Sequence, residues 1–481
     1  MRTISPLAGR TVFCLLVPLV IGVFPASARQ TIVTGSVSSV VDYSSRSYKH
    51  GDSMNPDDGD RQKIGIQPEV LIVSKDVRDF LSLRYSPTLS YDFVVEDNEV
   101  DHQLDIQGER WLSQFWSVSV SESYIRSDDP GTPTRDQPHD PFAGSGGQAQ
   151  PTNPELSRDM NGRKYWTNTA GLRTSYAYDK DSRIAGGYTY SVLRNDESGE
   201  GYEDYDRHSF DANLTHGFTP NWQANMGVNY TRGVYDRTQG LAASSTATGT
   251  PDLDQYGFHV GVNFIRTPHD FYSLNYSLNE SRYDGDTRPD NETHSWSLGW
   301  DHAFDSRTRM ALGAGPSYSR IQGLDGTWGY NAYATLTRTY QHAALSLELS
   351  KVYENNNFTG SAADSGLTDT YKARASFSYR HTQNLAFDAY GGYRLESNFD
   401  PQGIYQAAAG GGAGGTKKTG DNSYDKNIYE VGIGCTYTFG RWYTAGLRYS
   451  YYVSDGDLDV DQYTDHQILF TLRASHELWR W

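Results

Sequence analysis

In the stretch YEVGIGCTYTF, Tyr429 to Phe439, every odd-numbered side chain is apolar or aromatic and every even-numbered one is small or polar. Successive side chains of a β-strand point to opposite faces, so this segment has one greasy face and one wet face. The same alternation recurs in SLRYSPTLSYDF (Ser82 to Phe93), FWSVSVSESY (Phe115 to Tyr124), WQANMGVNY (Trp222 to Tyr230), YGFHVGVNF (Tyr256 to Phe264) and YSLNYSLN (Tyr272 to Asn279). It continues in HSWSLGW (His294 to Trp300), ALSLELS (Ala344 to Ser350), YKARASFSY (Tyr371 to Tyr379) and LAFDAYGGY (Leu385 to Tyr393). Period-two segments bounded by turn residues are strands, and helical spacing fits none of them.

The connections alternate in length. Short turns fall at Asp179 to Asp181, Phe218 to Asn221, Arg266 to Asp270, Phe304 to Arg307, Tyr340 to His342, His381 to Asn384 and Phe439 to Arg441. Long polar loops lie between them at Ser127 to Arg163, Asp236 to Leu253, Glu354 to Asp369 and Pro401 to Ser423. Short turns at one end and long loops at the other are the habit of transmembrane β-barrels. Hydrocarbon offers no water to backbone groups, so strands cross it only in a sheet that closes and loses its edges. The apolar face must then point outward, which places Tyr429, Val431, Ile433 and Cys435 against lipid and Gly432, Gly434 and Thr436 in the lumen.

Composition agrees. A soluble chain of 481 residues would bury cores rich in aliphatic side chains, yet this one is only 37% hydrophobic and carries 36 tyrosines. After residue 28 no run approaches the roughly 20 apolar residues of a membrane-spanning helix. Trp166, Tyr176, Trp222, Tyr230, Tyr371, Tyr379, Tyr443 and Tyr451 fall near strand ends on the expected outer face, where aromatic rings suit a membrane interface.

The N-terminus reads as a secretory signal, residues 1–28. Arg2 and Arg10 supply positive charge, Thr11 to Phe24 the apolar core, and Ala26-Ser27-Ala28 the cleavage site. The mature barrel would be residues 29–481, with Cys435 its lone cysteine and no disulfide within the chain. The C-terminal segment QILFTLRASHELWRW ends on Trp481, with Trp479 two residues earlier, and resembles the terminal signal read by the outer-membrane barrel assembly machinery; Glu477 breaks its alternation. Counting segments gives an all-β fold, a single transmembrane antiparallel up-and-down β-barrel of about 20 strands, with 18 as the alternative. The first two strands, around Ile32 to Tyr43 and Ile64 to Val73, are the least distinct. Pro68, Pro87 and Pro316 sit inside strand patterns and cannot donate to a ladder, so bulges or breaks are expected there.

The expected lumen is built from small polar residues, among them Ser117, Ser119 and Ser121; Asn225 and Asn229; Ser273, Asn275 and Ser277; Ser295 and Ser297. Its candidate charges are Asp101, Asp105 and Glu109 on one strand, Glu348 on another, and Lys372, Arg374 and Arg380 on a third. Such rows either bias which solutes pass or pair across strands in a wet interior.

Other motifs dissolve on inspection. Asp455, Asp457, Asp459 and Asp461 are spaced for hard-cation ligation but lack the Gly and distal Glu of an EF-hand loop, and Asn55 to Asp60 reads likewise as a solvated acidic loop. The glycine-rich Gly410 to Gly420 fails the phosphate-loop spacing, because Lys417 stands where the second glycine is required before Lys418. No G-x-S-x-G or H-E-x-x-H motif occurs. His102, His259, His294, His302, His342 and His466 are scattered over separate segments, and an Asp-His arrangement such as Asp465 and His466 is left as the only catalytic lead. No catalytic, cofactor-binding or metal-binding residues are assigned, and a formal charge of -17 disfavours nucleic acid.

The block LSLRYSPTLSYDF followed by WLSQFWSVSVSESYIRSDDP resembles the β-barrel porin 2 family of Gram-negative outer-membrane proteins, most distinctly over Ile64 to Pro130. Members are often encoded beside exopolysaccharide or exosortase systems. The resemblance implies an outer-membrane channel, serving exopolysaccharide export or diffusion of small hydrophilic solutes, with lipid, lipopolysaccharide and periplasmic export components as partners. It carries no catalytic motif. The alternatives are a plugged structural or adhesive barrel and, behind it, a barrel enzyme.

Overall fold

The computed structural model describes residues 29–48, 60–127, 164–196, 204–236, 251–285, 288–358, 366–399, 423–457 and 462–481. Residues 1–28, most of Asn55 to Asp60, Gly410 to Gly420, Asp459 and Asp461 lie outside them. The first ten strands are β1 (Gln30–Tyr48), β2 (Asp60–Lys75), β3 (Asp79–Asp92), β4 (Asp97–Trp111), β5 (Trp116–Ser127), β6 (Tyr165–Asp179), β7 (Ser182–Asn195), β8 (Asp204–Thr219), β9 (Trp222–Asp236) and β10 (Leu253–Thr267). The second ten are β11 (Asp270–Tyr283), β12 (Asn291–Ala303), β13 (Thr308–Ile321), β14 (Thr327–Thr339), β15 (Ala343–Asn356), β16 (Gly366–Arg380), β17 (Leu385–Phe399), β18 (Ser423–Phe439), β19 (Tyr443–Gly456) and β20 (Tyr463–Arg480). Each pairs antiparallel with the next, and β20 pairs with β1, so the sheet closes at twenty strands.

One end of the barrel carries only connections of two to four residues, including the turns 76–78 and 112–115 that the sequence pattern had not marked. The other end carries the long loops, though 93–96 and 322–326 are short there as well. The outer face is continuously apolar: Val37, Ile66, Leu89, Leu172, Leu274, Leu298, Leu349, Val431, Ile433 and Leu447 are all exposed on it. A soluble protein does not show an apolar surface of that extent, and a closed sheet with such an exterior is built to span a bilayer. Tyrosines on this face meet histidines of the neighbouring strand: Tyr188 with His208 and Tyr276 with His294, each 2.9 Å from hydroxyl to Nδ1, and Tyr449 with His466 at 3.0 Å. These pairs satisfy polar tips while the rings stay in the apolar layer.

The β20 end explains why Glu477 breaks the alternation. Ile468, Phe470 and Leu472 face outward on even numbers, whereas Trp479 and Trp481 are odd. Between Val33 opposite Trp479 and Thr34 opposite Glu477 the register shifts by one, leaving Leu478 as a bulge over Gly35. The extra residue changes the phase, so both tryptophans stand exposed at the short-turn end.

The expected proline breaks are present as interruptions without change of register at Pro68 and Pro87 between β2 and β3, and at Pro316 between β12 and β13. At Pro316 the wall also folds sharply, and β12 and β14 approach each other across β13. Asn331 Nδ2 of β14 donates to the Trp296 carbonyl of β12 at 2.9 Å, supplying a donor opposite a proline that has none. A Cβ on Gly315 would overlap that same carbonyl.

Candidate functional site

The strand register decides which side chains line the interior. Asp101, Asp105 and Glu109 of β4, Glu348 of β15, and Lys372, Arg374 and Arg380 of β16 all stand on the lumen face, as do the serines and asparagines named from the sequence. The lumen they share has two unlike walls.

The charged wall runs from β15 through β20 and on to β4. In its first row Arg473 of β20 donates to Glu69 Oε1 of β2 at 2.6 Å and to Ser36 Oγ of β1 at 3.1 Å. Arg84 Nε of β3 lies 3.5 Å from Glu69 and 3.8 Å from Asp105 of β4, and Ser123 of β5 closes the row with a 2.9 Å bond to Asp105. Gln103 ties it further, accepting from Arg84 at 3.1 Å and donating to Asp105 at 3.0 Å. Four side chains of alternating charge, Arg473, Glu69, Arg84 and Asp105, with serines of β1 and β5 bonded to them, thus stitch six adjacent strands, and Glu69 is only 6% exposed between two guanidinium groups.

A second row crosses β15 to β19. Lys372 Nζ donates to both oxygens of Glu354 at 2.7 and 2.9 Å, Arg394 sits 3.8 Å from Glu354 and pairs with Glu396, and Tyr390 donates to Glu430 at 3.0 Å. Arg374 stacks 5.7 Å over the Tyr390 ring and stands opposite Glu348 in the ladder. Arg448 lies 3.7 Å from Asp388. Of the residues proposed from sequence, Asp105 therefore joins the first row and Lys372 and Arg374 the second.

The other wall, β9 to β14, is uncharged at its lumen positions except for Asp301 and Arg309, which form a bidentate pair near the short turns with contacts of 2.6 to 3.0 Å. Amides and hydroxyls take its place: Asn225, Asn229, Ser273, Asn275, Ser295 and Ser297. Gly227, Gly257 and Gly261 leave room for the amides of Asn213, Asn229, Asn225 and Asn275 to lie across them. Such groups both donate and accept, so this wall offers hydrogen bonds of either sense without net charge.

At the loop end the lumen face changes character again. Tyr165, Leu193, Tyr205, Tyr235, Leu253 and Tyr283, one from each of β6 to β11, form a buried cluster that also takes in Phe358 from the β15–β16 connection. The sequence reading missed it. A signal was available: Leu253 shares the parity of Gln255 and His259, so an apolar side chain there breaks the wet face and must be covered by something inside the barrel.

The histidines do not converge. His259 faces the lumen, while His102, His294, His302 and His466 face outward. Asp465 and His466 project to opposite faces, Asp465 to Arg46 at 3.2 Å and His466 to Tyr449. Among the described residues no three His, Cys, Asp or Glu side chains are placed to hold a metal. Cys435 is half-buried on the outer face.

No protein-family model matches the chain, and no curated protein matches it. Solved structures similar in fold include a mutant ferric enterobactin receptor from Pseudomonas aeruginosa in complex with enterobactin, with 10% identity and a TM-score of 0.49, covering 92% of this chain and 81% of that one. Others are OccAB2 from Acinetobacter baumannii, with 9% identity and a TM-score of 0.44, and OpdQ from Pseudomonas aeruginosa, with 10% identity and a TM-score of 0.42. Each of these two matches covers 93% of this chain and 98% of the other.

Proposed function

We propose that this barrel is a passive channel in the outer membrane of a Gram-negative bacterium, delivered there by residues 1–28, with its short turns in the periplasm and its long loops outside. The observation that carries the reading is the division of the lumen into an uncharged amide and hydroxyl wall on β9 to β14 and a charged wall that runs from β15 round to β4. Sugars need hydrogen-bonding partners without tight capture, and the first wall provides them; the paired charges of the second set a field across the path. Diffusion of small hydrophilic solutes fits this lining, and so does export of an exopolysaccharide, in keeping with the resemblance to the β-barrel porin 2 family. In the export case periplasmic components would feed the channel, and lipopolysaccharide would surround its aromatic outer face.

Single-channel conductance of refolded Arg29 to Trp481 in a planar bilayer tests this, with neutral and acidic polysaccharides added in turn. Steady conductance that a polysaccharide blocks supports the export reading, and block by neutral chains alone assigns the track to the β9–β14 wall. Conductance indifferent to every polysaccharide leaves small-solute diffusion. A barrel that folds and stays silent overturns the open-channel reading.

A further inference from the structure

β14 and β15 are paired only from Ala332 opposite Lys351 to Thr339 opposite Ala344. Beyond that point Thr327 to Asn331 of β14 and Val352 to Asn356 of β15 have no ladder with each other, although β15 and β16 stay paired up to Asn356 opposite Gly366. The end of the β15–β16 hairpin has therefore parted from the wall on its β14 side. Its next residues show where it goes. Asn357 Oδ1 accepts from Tyr283 OH of β11 at 2.7 Å. The Phe358 ring lies 5.3 Å from Tyr205 of β8 and 5.9 Å from Tyr235 of β9, with the Arg207 guanidinium 4.8 Å above it. Gly233 leaves the space the ring occupies. Strands β12, β13 and β14 stand between β15 and this docking site, so the hairpin end cuts across the lumen face of that sector instead of continuing round the barrel.

The burial agrees with a seated segment. Phe358 is 7% exposed, and Leu367, Thr368 and Thr370 on the β16 side of the hairpin are buried as well. An apolar cluster on a wet lumen face has a physical reason only if something covers it, and Phe358 does.

We propose that the inward-turned ends of β15 and β16, Val352 to Asn356 and Gly366 to Thr370, with Asn357 and Phe358 held against β8, β9 and β11, are the size-limiting constriction of the channel. It narrows the loop end of the uncharged sector over β12 to β14, so that a solute reaches the amide and hydroxyl wall only past these strand ends. This rests on the channel reading above, and its test must separate the two.

The experiment compares the full barrel with Phe358→Ala, both verified as folded by heat-modifiable gel migration, for single-channel conductance and for the largest polyethylene glycol that enters. A second variant, Arg207→Cys with Asn357→Cys in a Cys435→Ser background, is treated with a short bis-maleimide, which reports docking without reference to current. The proposal expects Phe358→Ala to raise conductance and admit larger polymers, and expects the cysteine pair to cross-link within one chain and conduct no more than the wild type. A silent wild type beside a conducting Phe358→Ala supports it in its strongest form. A conducting wild type with Phe358→Ala unchanged in both readouts overturns the constriction and leaves the channel reading intact. Failure of the cysteines to cross-link overturns the docked hairpin, and silence of both proteins with the cross-link formed overturns the constriction and the channel together.

Discussion

Pro68 of β2 lies directly opposite Pro87 of β3. The ladder runs to Ile66 opposite Leu89, resumes at Val70 opposite Tyr85, and keeps one register across the gap. Three lost pairs around two facing prolines are what results when a hydrogen-bonded pair loses both of its N–H donors, because the flanking pairs share those bonds. Both positions face outward, so Pro68→Val with Pro87→Val restores two ladder bonds in a site that suits valine. The double variant is expected to gain roughly 1 kcal/mol per bond over the native barrel, less the small entropic cost of a freer unfolded chain. Urea unfolding from detergent or liposomes measures it, and a double variant no more stable than either single one would contradict the paired loss.

The fold at β13 depends on Gly315, whose missing Cβ is where the Trp296 carbonyl sits. Backbone cannot yield there as a side chain could. Gly315→Ala is expected to cost about 1–3 kcal/mol in the same unfolding assay. Gly391→Ala is the control, because the nearest atom to its Cβ is 3.9 Å away; its effect should stay within about 0.5 kcal/mol.

Glu69 holds Arg473 and Arg84 apart in charge as well as in space. Glu69→Ala leaves two guanidinium groups facing one another in a largely covered part of the wall, and the expected loss of stability is roughly 3 kcal/mol. The reversal potential in a potassium chloride gradient should move toward anion selectivity. Glu69→Asp should retain most of the native selectivity; a reversal potential unmoved by Glu69→Ala would remove this row from the selectivity path.

One short turn carries a pH signature. The backbone amides of Arg307 and Thr308 donate to Asp305 Oδ1 at 2.6 and 2.7 Å, and these bonds, Arg307 foremost, hold its carboxyl below the usual carboxylate range. The folded value lies below the unfolded one, so the stabilisation is complete above the ordinary carboxylate range and is lost as pH falls through the folded value. Asp305→Asn is therefore expected to be less stable than the native chain at neutral pH, with the difference shrinking in acid. Unfolding midpoints of both proteins from pH 7 down to pH 3 test the sign, and a difference that grows in acid would contradict it.

The two tryptophans beyond the Leu478 bulge are expected to matter through the face they occupy. Deleting Leu478 removes the extra residue, so Glu477 is followed directly by Trp479 in unbroken alternation and both tryptophans keep the outer face. That deletion should still assemble into a heat-modifiable barrel, whereas Trp479→Ser with Trp481→Ser, which strips two interface rings from the short-turn end, should assemble far less well. Equal assembly of the two would mean that the tryptophans do not act through the face they occupy.

Much of this architecture was legible from parity. The alternation of Tyr429 to Phe439 assigned its two faces correctly, the lumen positions of Asp105, Lys372 and Arg374 followed from the same count, and the short turns appeared where Pro, Gly, Asn and Asp cluster. These are local properties: a two-residue period and a turn need only neighbours in the chain to be read. The break in alternation at Glu477 was visible as well, although the bulge behind it was not.

What only the tertiary structure decided are the relations between strands far apart in sequence. Arg473 meets Glu69 because closure brings β20 beside β1, and no spacing along the chain encodes that distance. The separation of charged and uncharged walls and the docking of Phe358 against Tyr205 and Tyr235 likewise depend on closure and on the fold at β13. Side-chain parity determined which face each residue takes. Register between distant strands, set by the summed pairing of the whole sheet, decided which residues meet there.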